Sequence, residues 1–197
     1  MSIEEVMHRH VFLTGIPGIG KTTLIQKATE ALKSSATPVD GFYTEEVRQG
    51  GRRIGFDVVT LSGNRGDLAR IGSSQASRKP EYRVGQYVVD ITSFEQLVLP
   101  TLNSLSKTGN MEKKIVCIID EIGKMELFSQ NFISLVRKML DSTNVVVLGT
   151  IPVPKGKPLP VVEEIRHRQD VKVFNITKEN RDGLLQEIVS AVHNCCK

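Results

Sequence analysis

The segment Gly15-Ile16-Pro17-Gly18-Ile19-Gly20-Lys21-Thr22 follows the spacing G-x-x-x-x-G-K-[ST]. The chemistry of that spacing is phosphate binding. Gly15, Gly18 and Gly20 let the backbone wrap close to an anion without Cβ clashes. Consecutive N–H groups then point inward, and the dipole of a helix starting at the loop's end favours negative charge. Lys21 is expected to reach the β- and γ-phosphates and Thr22 to place its hydroxyl on Mg²⁺. The whole loop, with Ile16, Pro17 and Ile19, is the expected nucleotide-binding segment.

A second pattern lies about a hundred residues on. Ile115-Val116-Cys117-Ile118-Ile119 is continuously apolar and ends in Asp120-Glu121. Such a run reads as a strand buried on both faces. Asp120 at its tip is placed to hold the water shell of Mg²⁺. Glu121, one residue on, points to the other side of the chain and is the candidate general base for an attacking water. Gly123 permits a sharp exit, and Lys124 could reach a phosphate, although pairing with Glu126 at the surface is the expected use.

Other segments offer less. Thr150 would sit near a γ-phosphate if its strand lay between the loop strand and the Asp120 strand; otherwise it only ends a strand. Arg166 and Arg168 follow a proline-rich segment and could close over phosphates as an arginine finger, or form a solvated face. Thr177-Lys178-Glu179-Asn180 resembles a guanine-reading segment, but an amide replaces the carboxylate and cannot accept both guanine donors. Strict GTP specificity is not expected, although the Lys178 stem could stack on a base.

These groups need a scaffold. Val11–Leu13 reads as a strand entering the loop, and Thr22 to about Ser35 has helical spacing. Gly41–Val47 and Arg53–Leu61 are β-rich and flank Gly50-Gly51, a hairpin signal. Ser62–Lys79 is polar and reads as a mobile loop. Tyr87–Ile91 is a short strand. Ser93 and Gln96 form a capping box before a helix that Pro100 should kink or split. Phe128–Leu140 is helical with Ser129 as N-cap. Val145–Ile151 is a buried strand and Pro152–Pro160 an extended loop. Val161–Arg168 is a short helix, Val171–Thr177 the last strand, and Arg181–Val192 the last helix. The alternation predicts an α/β fold: a mostly parallel sheet with helices on both faces and an inserted β-hairpin.

The chain has 197 residues, a length that suits one domain spanning residues 1–197, with 1–9 as a flexible extension. Hydrophobic residues make up 40% and charged residues 24%, which argues against disorder. Trp is absent and net charge is +4 in scattered clusters, so nucleic acid is an unlikely partner. Three cysteines without metal or disulfide spacing favour a reducing compartment. No apolar run reaches membrane-spanning length, so a cytoplasmic protein, the nucleus not excluded, and a monomer are expected.

Taken together, Gly15–Thr22, Asp120–Leu127 and Gly149-Thr150-Ile151-Pro152 resemble a family of small P-loop nucleoside triphosphatases. It includes the cancer-related nucleoside triphosphatase of vertebrates and the thermostable enzymes of hyperthermophilic microbes. The resemblance runs from about His10 to the last helix, with Gly41–Leu61 and Phe94–Gln96 fitting it; Met1–Arg9 and Gly72–Lys79 depart from it. It implies a RecA-like P-loop core and slow Mg²⁺-dependent hydrolysis of several NTPs (ATP, GTP, CTP, UTP, TTP) to diphosphate and phosphate. It also implies nucleotide contacts from Gly15–Thr22 and from Val116, Cys117, Ile118, Ile119, Asp120, Glu121, Ile122 and Gly123. Two other classes use the same loop. A small-molecule or nucleotide kinase must exclude water, whereas Glu121 beside Asp120 suits water activation. A nucleotide-dependent interaction protein would use the Gly41–Leu61 hairpin as its partner surface and show negligible turnover.

Overall fold

A computed structural model describes residues 7–72, 81–107 and 112–197 of the chain. Its core alternates strands and helices: β1 (His10–Gly15), α1 (Lys21–Ser34), β2 (Val39–Gln49), β3 (Arg52–Thr60), β4 (Arg65–Ile71), β5 (Tyr82–Val84), β6 (Tyr87–Val89) and α2 (Ile91–Ser106) come first. Then follow β7 (Ile115–Ile119), a 3₁₀ turn (Glu126–Phe128), α3 (Gln130–Asp141), β8 (Val145–Pro152), α4 (Pro160–His167), β9 (Val171–Asn175) and α5 (Leu185–Cys196). Among the described residues, nine strands form one sheet in the order β5-β6-β4-β3-β2-β7-β8-β1-β9.

The half from β2 to β9 is parallel and the half from β3 outward antiparallel. Strand β2 belongs to both: Val39–Phe42 pair with β7, and the strand then runs on beside β3. Side-chain alternation splits the apolar residues into two cores. Phe12, Phe42, Cys117, Ile119 and Val147 pack with α2, α3 and α4. Val11, Leu13, Val116, Ile118, Val146 and Leu148 pack with α1 and α5 on the other face. Phe42, Phe94 and Phe132 meet edge to face at 5.2–6.0 Å, locking α2 and α3 onto β2.

Several expectations are met. Gly50 and Gly51 take φ of 55° and 76° at the hairpin tip, as a turn with two positive φ angles requires. The Ser129 hydroxyl accepts from Phe132 N–H at 3.0 Å and caps α3. Others are corrected. Within Ser62–Lys79, Arg65–Ile71 is a strand, β4; residues 73–79 lie outside the described part, as do Met1–Val6 of the expected extension and residues 108–111 of the link to β7. Arg9, also assigned to the extension, is anchored: its N–H donates to Asp170 C=O at 2.7 Å. Asp90 rather than Ser93 caps α2, accepting from Ser93 N–H at 2.9 Å. That helix runs unbroken through Pro100. The last helix begins at Leu185 rather than Arg181, after a turn containing Gly183.

His10, at the start of β1, is fully buried and uses both ring nitrogens: Nδ1 accepts from Val147 N–H at 3.0 Å and Nε2 donates to Leu140 C=O at 2.9 Å. Burial pushes its pKa down to about 4, so this end of the sheet is built around a neutral imidazole.

Candidate active site

Strand β1 ends at Gly15 beside Pro152 of β8. A Cβ on Gly15 would stand 2.8 Å from Ile176 C=O and 2.9 Å from the Ile19 side chain, so only glycine fits there. Gly18 and Gly20 meet no crowding, but their φ values of 77° and 114° favour glycine for conformational reasons. The loop delivers Lys21 to the first turn of α1. Its ammonium, almost fully buried, donates to Gly15 C=O at 2.7 Å and Ile16 C=O at 3.3 Å. It is thus held across the mouth of the loop.

Strand β7 carries Asp120 to the same edge. Val116, Cys117, Ile118, Ile119 and Ile122 have no exposed surface. Their side chains fill the two cores and fix the strand that presents Asp120. Asp120 is 1% exposed. Its Oδ2 accepts from Thr22 Oγ1 at 2.7 Å and its Oδ1 from Thr150 Oγ1 at 2.6 Å. Strand β8 does lie between β7 and β1, which puts Thr150 in the site.

Burial raises the pKa of Asp120, opposed by the Thr150 and Thr22 hydrogen bonds and by Lys21. Glu121 is raised by burial and then by the charge on Asp120, against the pull of Lys21. Its carboxylate accepts no hydrogen bond among the described residues, so both oxygens are available to a water molecule. It packs so closely on Gly123 that a Cβ there would lie 2.5 Å from Glu121 Oε1.

Glu126 corrects a surface assignment. It is 5% exposed, and its Oε2 accepts from Gly123 N–H at 3.2 Å; Lys124 is exposed and forms no ion pair with it. Burial, and after it the Glu121 charge, pushes the Glu126 pKa up to about 8. The folded protein therefore holds this proton where the unfolded chain, titrating near 4.5, has lost it. Stability from this group is complete below about pH 4.5 and is lost as pH rises through about 8. Glu126→Gln, which cannot ionise, should gain stability over the parent as pH rises from 5 to 8. The gain in Tm near pH 8 should be on the order of 5–10 °C, read by thermal melts in metal-free buffer. An equal difference at pH 5 and pH 8 would refute the assignment.

The two candidate arginines separate. Arg168 is bonded to Asp170, Asp141 and Leu140 C=O. These lie where β1 and β9 begin, the end of the sheet opposite the loop. Arg168 is structural, and these bonds keep it from serving as an arginine finger. Arg166 reaches the right edge: its Nη2 donates to Pro152 C=O at 2.7 Å, beside Gly15. Sequence reasoning missed Arg181, whose Nη1 donates to Ile19 C=O of the loop at 3.2 Å. No local pattern marks it, because the contact spans 162 positions.

The donors around Thr22 and Asp120 are all oxygen, which suits a small hard cation such as Mg²⁺ and not a thiolate or imidazole metal. A buried carboxylate satisfied only by two hydroxyls is also a place where a divalent cation would be favoured. Among the described residues no cluster of three or more His, Cys, Asp or Glu could hold a metal alone.

A parallel sheet, a glycine loop opening a helix, and an acidic strand tip bonded to the loop threonine define the P-loop nucleoside triphosphatase class. The sequence matches the NTPase family profile over residues 10–189, and the chain belongs to that family. It is 69% identical over 191 residues to the cancer-related nucleoside-triphosphatase homolog of Bos taurus, covering 97% of this chain and 100% of that one. The solution structure of a human cancer-related nucleoside triphosphatase superposes with a TM-score of 0.83 at 66% identity, covering 96% of this chain and 100% of the other. The crystal structure of THEP1 from Aquifex aeolicus gives 0.78 at 37% identity, covering 93% and 98%. Among the described residues no helix is long and apolar enough to cross a membrane.

Proposed function

We propose that this chain hydrolyses nucleoside 5′-triphosphates to diphosphate and phosphate with Mg²⁺, and with broad base tolerance. The observation that carries this is the Thr22–Asp120 hydrogen bond, which joins the phosphate loop to the acidic strand end with Glu121 one residue beyond. The backbone N–H groups of Gly15–Thr22 bind the phosphates. Lys21 exchanges its two loop carbonyls for β- and γ-phosphate oxygens. Thr22 and Asp120 would hold Mg²⁺, which when bound neutralises charge building on the β- and γ-oxygens.

Glu121 orients a water and accepts its proton. The water oxygen bonds to the γ-phosphorus, the bond from that phosphorus to the β–γ bridging oxygen breaks, and the diphosphate leaves with that electron pair. Thr150, holding Asp120 Oδ1, keeps the carboxylate aimed while Thr22 turns to the cation. Arg166, anchored at Pro152, stands at the phosphate edge, whereas Arg168 does not. The continuous sheet and its two shared cores support reading the chain as one domain. The triphosphatase names of its relatives favour hydrolysis over phosphoryl transfer to an acceptor.

The test is phosphate release from ATP, GTP, CTP and UTP, with and without Mg²⁺ and without any acceptor. Release from all four, dependent on Mg²⁺, is expected. The kcat/KM ratio between ATP and CTP should stay below roughly a thousandfold, since more would require about 4 kcal/mol of specific base contact. No release without an added acceptor would instead favour a kinase.

A further inference from the structure

The loop and the acidic strand tip account for a triphosphate and leave the nucleoside unplaced. Resting on the reading of Gly15–Thr22 as the triphosphate cradle, we infer that the turn 177–181 carries the nucleoside, with Arg181 and Lys178 forming a shelf on which any base stacks.

Sheet order sets the direction. Asp120 and Thr150, which mark the metal and γ-phosphate end, lie on β7 and β8, on one side of β1. The other side of β1 is occupied by β9 alone. A triphosphate with its γ end toward β7 and β8 therefore has its nucleoside end toward β9. The chain leaving β9 is pressed against the loop there. Ile176 N–H donates to Thr14 C=O at 2.7 Å, and Ile176 C=O approaches Gly15 so closely that no Cβ fits. Arg181 then bridges back to Ile19 C=O.

The turn is stiff. Thr177 N–H donates to Asn180 Oδ1 at 2.8 Å, Asn180 Nδ2 to Asn175 C=O at 2.8 Å, and Arg181 N–H to Thr177 C=O at 3.0 Å. Both ends of the Asn180 amide are consumed in shaping it, so Asn180 has no group left to read a base edge. Lys178 and Arg181 are exposed, and neither forms an ion pair among the described residues. On the antiparallel half of the sheet Arg48 and Arg53 pair with Glu46, and Arg65 and Arg70 with Asp57. A planar guanidinium stacks on the π-face that every base offers, and an ammonium stem adds apolar contact. Recognition of that kind binds the nucleoside without choosing its base.

Calorimetric titration of the full chain with ATP, GTP, CTP, UTP and inorganic tripolyphosphate, all with Mg²⁺, tests this. Arg181→Ala should weaken the four nucleotides alike, by about 5- to 20-fold, the lower part of the range of one base-stacking contact. Tripolyphosphate, which has no base, should change by less than about twofold. Lys178→Ala should show the same pattern with a smaller loss. Unchanged nucleotide affinity in Arg181→Ala would overturn the shelf. So would an equal loss for tripolyphosphate, which would make Arg181 a phosphate ligand or a loop brace. Lys21→Ala should lose all five ligands; nucleotide binding that persists there overturns the cradle itself, a failure visible separately from that of the shelf.

Discussion

Lys21→Ala is expected to bind Mg²⁺–nucleoside triphosphate at least about a hundredfold more weakly than the parent. Lys21 is the one side-chain cation that the loop itself brings to the phosphates, and it is almost fully buried. Removing one member of a buried, hydrogen-bonded charge pair costs about 3–5 kcal/mol, or about two to three and a half orders of magnitude in affinity. Without ligand the ammonium bonds only to Gly15 and Ile16 carbonyls. Its loss should therefore change the melting temperature of the empty protein far less than it changes binding. Calorimetry with Mg²⁺–ATP beside a thermal melt separates the two effects. Unchanged affinity would remove the basis for reading this site as a triphosphate cradle.

Glu121→Gln is expected to separate binding from turnover. Gln keeps the size of Glu and can hydrogen-bond the same water, but it cannot take the water's proton. Loss of general-base help slows the chemical step by about 10²–10⁴-fold. Affinity should hold or rise, because a negative charge near the γ-phosphate disappears. The Glu121 environment supports this: burial and the Asp120 charge both disfavour its ionised form, so the substitution also relieves charge crowding. Asp120→Asn should differ, because Asp120 accepts from both Thr22 and Thr150. Its loss should weaken Mg²⁺ dependence along with rate. Single-turnover hydrolysis and equilibrium binding on both variants decide the matter. Parental turnover in Glu121→Gln would make Glu121 a bystander and bring the kinase and switch readings forward.

The sequence by itself determined the parts whose physics is local. A glycine loop that must wrap an anion, a five-residue apolar strand ending in an acid, and a Gly-Gly hairpin tip are each specified by adjacent residues. They are legible because backbone freedom and side-chain period act within a few positions. Distant contacts decided the rest. Thr150 was informative only if β8 lay between β1 and β7, and strand order is set by packing, not by any local pattern. Strand β4 looked like a loop because Arg65, Asp67 and Arg70 are charged; across the sheet Arg65 and Arg70 find Asp57, which stabilises a polar strand that has no apolar alternation to display. Arg166 and Arg168 look equivalent in sequence, yet one reaches Pro152 beside the loop and the other is tied at the far end of the sheet. Glu126 read as a surface charge because nothing near it in sequence foretells burial against Gly123. Arg181 met the phosphate loop only because β9 lies next to β1, a neighbour relation between segments more than 150 residues apart that only the assembled sheet could impose.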